Sequence, residues 1–149
     1  MQFPTTAVAI STLLLTCVYA PASRLDESPT ALAALQAKAD RAQPKDRCFL
    51  YAELVGQLVD LAGQQFSSGD SGQASDTLKL VQQYAEKIHT GVSEDSKRLR
   101  DAESLMQRTS FRLSRILSGA SYEDRPLLEL TLKQLDQVQV QLMMQVFKK

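Results

Sequence analysis

At 149 residues, 44% of them hydrophobic, the chain is long enough for one domain that buries its own core without a disulfide or metal staple. Seventeen basic side chains balance seventeen acidic ones, so net charge gives no reason to expect nucleic acid or an anionic membrane as the main partner. Two cysteines are too few for a disulfide scaffold.

The first twenty-three residues, MQFPTTAVAISTLLLTCVYAPAS, carry no charged side chain, and every charge follows from Arg24 onward. Ala7 to Val18 is an apolar run of signal-peptide length, short for a membrane span, and Ala20-Pro21-Ala22 is an A-x-A cleavage pattern. The expectation is a signal peptide over residues 1–22 and an exported single domain over 23–149, periplasmic or secreted, with no membrane span after cleavage. The missing Lys or Arg near the start leaves an uncleaved anchor as the alternative. Cleavage removes Cys17 and leaves Cys48 as the one thiol, so no intramolecular disulfide can form. Cys48 is then either a small buried residue on the stripe of Tyr51 or a site of intermolecular disulfide pairing.

From Ser28 on, the composition and spacing predict helix throughout, rich in Leu, Ala, Gln, Lys, Arg and Glu. A short first helix starts with Ser28 as N-cap and Pro29 at N1, and buries Leu32, Leu35, Ala39 and Ala42. Pro44 interrupts it. The second helix runs from about Lys45 to Phe66, with Tyr51, Leu54, Val55, Leu58, Leu61, Ala62 and Phe66 on its inner face. The turn "SSGDSGQ" follows. Ala74, Leu78, Val81, Ala85 and Ile88 define the third helix, ending near Gly91. Ser93 reads as the next N-cap, with Glu94 and Asp95 in the first turn. Leu99, Ala102, Met106, Thr109, Leu113 and Ile116 mark the fourth helix, which stops near Gly119. The fifth starts around Asp124, accepts Pro126 in its first turn, and uses Leu128, Leu132, Leu135, Val138 and Leu142. Short loops between four long helices of matched length predict an all-α, antiparallel up-down bundle with coiled-coil-like packing and a short N-terminal helix. Leu80, Leu117, Leu130, Val140 and Met143 fall off the central stripes; they either widen the core, as is expected of most, or form an exposed patch.

Chemistry-bearing groups are sparse. Glu86 and His89 make a Glu-x-x-His step, the element with which di-iron bundles hold metal. One histidine supplies only one such step. At 100° per residue Glu86 points roughly 120° and His89 roughly 60° from the centre of the apolar stripe. The pair is therefore the metal candidate and is expected to be a solvated coincidence. A b-type haem could pair His89 with Met106, Met143 or Met144, yet those methionines fit core stripes. Cys48 with His89 is the one nucleophile and base combination, and no glycine-rich nucleophile turn accompanies it. No catalytic residue and no cofactor are expected. Arg108, Arg112 and Arg115 form a basic row that could hold an anion or an acidic partner, or simply pair with Glu123, Asp124 and Glu129.

Three stretches carry resemblances. "LTLKQ", Leu130 to Gln134, resembles the L-T-x-x-Q motif of small helical periplasmic chaperones of the Spy and CpxP type, which carry it twice where this chain has it once. That likeness implies chaperone activity as an alternative. "LAGQQFSSGDSGQASDTLKL", Leu61 to Leu80, resembles a tetratricopeptide hairpin, one residue off in spacing and without a second repeat, and implies a local helical hairpin. "DRCFLYAELV", "VQQYAEKIH" and "EDRPLLELTLKQLDQVQ" are similar to short exported bacterial proteins with no activity attached. Together these readings give an exported, non-catalytic helical bundle that meets a protein partner in the envelope, with a homodimer as a further option and metal or haem binding as a second alternative.

Overall fold

The computed structural model describes residues 29–148; the expected signal peptide and the Ser28 cap lie outside the described residues. The chain forms five α-helices: α1 Pro29–Arg41, α2 Pro44–Ser67, α3 Ser71–Gly91, α4 Leu99–Ser118 and α5 Arg125–Lys148. No strand occurs among the described residues, and none of the helices is long and apolar enough to cross a membrane. The four long helices alternate in direction and share one core, with the short α1 laid on α2.

The predicted inner faces of the long helices are mostly buried, while Leu61, Phe66, Ile116 and Leu132, and Leu32, Leu35 and Ala42 of α1, are half-buried. Ala74, Leu78, Val81, Ala85 and Ile88 on α3 are fully covered, as are Leu128, Leu135 and Leu142 on α5. Burial of a leucine of this kind stabilises by about 1.5–3 kcal/mol, which is why periodicity outranks propensity in placing helices. α2 goes further than its predicted stripe. Cys48, Leu50, Ala52 and Val59 are buried besides Leu54, Val55 and Leu58, because α2 touches α1, α3 and α4 and has little free circumference.

Helix neighbours follow a hairpin-on-hairpin plan. α2 and α3 form one antiparallel hairpin, joined at Ser68–Asp70, where Gly69 adopts φ +85°. α4 and α5 form the second. α2 lies beside α4 and α3 beside α5, while α3 and α4 stand across the diagonal without packing together. The two hairpins run parallel in a constant register. Arg112 meets Asp60, Gln134 meets Gln82 and Gln141 meets His89, each 52 positions apart.

The diagonal crossing changes one predicted boundary. α4 begins at Leu99, and Ser93 caps a tight turn rather than a helix. The Ser93 N–H donates to Ser96 Oγ at 3.0 Å, and the Ser96 N–H returns to the Ser93 carbonyl at 3.1 Å. The Lys97 N–H then donates to the Lys45 carbonyl at 2.8 Å, fastening the crossing to the start of α2. A bundle diagonal is roughly 11–14 Å for helices 8–10 Å apart. Helix advances only about 1.5 Å per residue, so an early start at Glu94 would not carry the chain across.

α2 and α4 approach closely at two glycines. A Cβ at Gly56 would lie 3.3 Å from Thr109 Oγ1 and Arg112 Nη2, and one at Gly63 only 3.0 Å from Ile116 Cδ1. These glycines cost helix propensity of about 1 kcal/mol each, and the close approach of α4 is what that cost permits.

Candidate functional site

Each helix positions a few polar groups, and most of them stitch the bundle. Asp40 of α1 accepts a hydrogen bond from Tyr51 Oη at 2.9 Å and meets Lys87 Nζ of α3 at 3.3 Å. Lys87 also stands over the rings of Tyr51 and Tyr84, 5.3 and 4.8 Å from their centroids. The phenol bond, ahead of Lys87, holds the Asp40 carboxyl below its usual value, and burial first, then Asp40, pushes the Tyr51 phenol up.

Glu86 and His89 are both exposed on α3. The His89 main chain, not its ring, is engaged, its carbonyl accepting from Gln141 Nε2 at 2.9 Å. Among the described residues no three His, Cys, Asp or Glu side chains gather as a metal set would require. Met106 is buried as expected, but Met143 and Met144 are exposed on α5, a correction to their placement in the core.

The basic row is divided. Arg112 turns into the α2–α4 seam and pairs with Asp60, not with the acidic residues expected at the start of α5. Asp124 instead accepts from Ser121 Oγ at 2.6 Å and helps start α5. Burial pushes the Asp60 carboxyl above its ordinary value, outweighing the opposing pull of Arg112. Arg108 and Arg115 remain exposed.

Cys48 is 2% exposed, and burial raises its thiol to about 11. An intermolecular bridge would require α2 to unpack, so Cys48 is a core residue in this fold.

The LTLKQ stretch has a structural task. Thr131 is buried; its hydroxyl donates to the Leu127 carbonyl at 2.7 Å and accepts from Gln82 Nε2 at 2.8 Å. Gln134 Nε2 donates to the Gln82 carbonyl at 3.1 Å. The motif's Thr and Gln thus tie α5 to α3, while Leu130 faces outward.

What stands apart is apolar surface. Leu80, Leu130, Val140 and Met143 are exposed, and only Leu117 of the five off-stripe residues packs against the core. Of the large apolar side chains left exposed among the described residues, all but Leu80 belong to the second hairpin or its turn: Phe111, Tyr122, Leu130, Val140, Met143, Met144 and Phe147. On α5 the residues Glu129, Lys133, Asp136, Val140, Met143 and Phe147 follow one another at steps of four and three, a second stripe roughly 140° around the helix from Leu135, Val138 and Leu142. Its first half is charged and its second half apolar, with Phe147 82% exposed. A shallow groove beside the stripe runs between Leu117 of α4 and Leu132 and Val140 of α5. The signal was present in sequence: Met143 and Phe147 sit out of step with the stripe that ends at Leu142.

No family model, no curated protein and no solved structure matches this chain. The reading of its surface therefore rests on its own side chains. Apolar side chains left together on the outside of a helical bundle mark contact surfaces, and methionines adapt to irregular partners.

Proposed function

We propose that the protein is an exported, non-catalytic interaction module of the envelope, which docks a protein partner through the outward stripe on the C-terminal half of α5. One observation carries this reading: Val140, Met143, Met144 and Phe147 stay exposed together although the same helix buries a complete inner stripe. The uncharged leader-like start of the sequence supports export to the periplasm or the medium. The scatter of carboxylates and the solvent-facing position of the one histidine support a binding role over catalysis.

A photo-crosslinking residue at position 147 in the envelope tests the reading, with position 79 on α3 as control. Adducts to a discrete protein from 147 and none from 79 are expected. Equal adducts, or none from either, would end the docking reading. Fractionation after expression tests export separately, since an α5 contact could exist in any compartment.

A chaperone of the Spy and CpxP type is the second reading, favoured by the adaptable Met143-Met144 pair beside Phe147. It predicts that the protein suppresses aggregation of an unfolded client at near-stoichiometric ratio and that Met143→Glu with Phe147→Glu abolishes the effect. Aggregation that proceeds at its normal rate would remove this alternative.

A further inference from the structure

The end of α1, the first turns of α2 and the α3–α4 crossing line a cleft of about 870 Å³. That volume lies in the range of about 300–1,000 Å³ typical of small-molecule sites. Two separate stretches of chain bring cations to its walls: Lys38 and Arg41 from α1, and Lys97 and Arg98 from the crossing. Only two carboxylates, Asp46 and Glu53, line it with them. Phe49 and Leu50 supply apolar floor.

We propose that this cleft binds a phosphate monoester, its oxyanion held by Lys38, Arg41, Lys97 and Arg98 and its organic part resting on Phe49 and Leu50. Gathering like charges is unfavourable unless something of opposite sign meets them. Lys38, Arg41 and Lys97 have no carboxylate within ion-pair distance among the described residues, although acidic side chains are as numerous in the chain as basic ones. Arg98 pairs with Asp101 at 2.8 Å and stands over Phe49, its guanidinium carbon 3.5 Å from the ring centroid. The planar cation and the ring together make a floor for an organic group.

The seat is also held in place. The Lys97 N–H is fixed to the Lys45 carbonyl, and Arg98 takes up a left-handed backbone at φ 55°, so both cations project from a set conformation. With Asp101 already on Arg98, what selects the ligand is the number of donors: Lys38, Arg41 and Lys97 are unpaired among the described residues, and the three acceptor oxygens of a phosphate monoester can meet all three where the two of a carboxylate cannot. The planar fork of an arginine beside ammonium groups suits phosphate oxygens. This site stands or falls without the docking role of α5.

The test is titration of the full chain with phenyl phosphate, with benzoate for comparison, and co-sedimentation with phosphatidic acid vesicles against phosphatidylcholine vesicles. Saturable binding of phenyl phosphate, weakened at least about tenfold by Lys38→Glu with Lys97→Glu, supports a free ligand. The exposed pair Arg108→Glu with Arg115→Glu makes the same change in net charge elsewhere and should leave binding intact. Binding to phosphatidic acid vesicles alone, lost in the same cleft variant, supports the same chemistry on a lipid headgroup. Lys38→Gln with Lys97→Gln repeats the measurement without charge reversal and should weaken binding in either arm. No binding of either probe at about 10 mM phosphate groups, benzoate binding as tight as phenyl phosphate, or equal loss in the two Glu variants would overturn the proposal.

Discussion

Arg112 of α4 donates a hydrogen bond to the Asp60 carboxylate of α2 across 52 positions of sequence, and its other arm reaches Thr109 Oγ1 at 3.3 Å. The pair pins the parallel register of the two hairpins at the level where Gly56 lets α4 come close. Arg112 is 41% exposed and Asp60 31%, so the net gain from the bridge itself is small. Its importance lies in what remains when one partner is removed.

Arg112→Met leaves a desolvated carboxylate alone in the seam and should cost about 1–2 kcal/mol, whereas Asp60→Asn keeps an acceptor and should cost less than about 1. The folded-state carboxyl is raised above its unfolded value, so folding takes up protons at this site and stability falls as pH rises through the raised value. The penalty of Arg112→Met should therefore shrink in acid. Urea unfolding of both variants at neutral and acidic pH measures this. Equal losses, unchanged by pH, would contradict it.

The glycines divide by environment. Gly63→Leu should overpack against Ile116 and cost about 1–3 kcal/mol. Gly72 is helical with open space around its Cβ position, and Gly72→Ala should stabilise by about 0.5 kcal/mol. Gly69 has equally open space but φ +85°, so Gly69→Ala should destabilise by about 1 kcal/mol through backbone conformation alone. Thermal melts of the three variants give the order directly.

Asp40, Tyr51 and Lys87 latch α1 to the first hairpin. The lowered carboxyl of Asp40 contributes in full above the ordinary carboxylate value of about 3.9, and its contribution is lost as pH falls through the folded value. The Tyr51 phenol is raised, so its contribution is complete below about pH 10 and lost as pH rises through the folded value. Protection of the α1–α2 junction against proteolysis should thus weaken at both extremes, and Asp40→Asn should abolish the acid limb. An acid limb that survives in Asp40→Asn would assign it elsewhere.

Cys48 should not react with a thiol reagent at pH 8 in the folded protein, because its thiol lies in the core and ionises only near 11. In a Cys17→Ser background, labelling should appear only as denaturant unfolds the domain, and non-reducing gels of folded protein should show monomer. Rapid native labelling would place Cys48 at the surface.

Much of the helix content and its inner faces was legible from residue spacing. Ala74, Leu78, Val81, Ala85 and Ile88 step around α3 as one stripe, and burial follows from geometry within a single helix. The α4 start was misplaced because Ser93-Glu94-Asp95 carries good capping chemistry, and a tertiary need to cross the bundle outweighed it. Val140 and Met143 were assigned to the core over an exposed patch because they are apolar, and hydrophobicity alone does not say whether a neighbour arrives to cover them. Lys38, Arg41, Lys97 and Arg98 raised no signal, since their common cleft exists only once α1 and the crossing meet.

What the amino-acid sequence determined by itself is therefore local: helix content, most helix ends and the apolar side of each rod, all set within a few turns by the 3.6-residue repeat. Which rods touch was decided by the tertiary structure. Apolar stripes are interchangeable as surfaces, and the choice of α4 over α5 as the neighbour of α2 depends on the close seat at Gly56 and Gly63, the Asp60–Arg112 bridge and the crossing at residues 92–98. Those are contacts between distant positions, where burial and charge pairing act through space and carry no period that can be read along the chain.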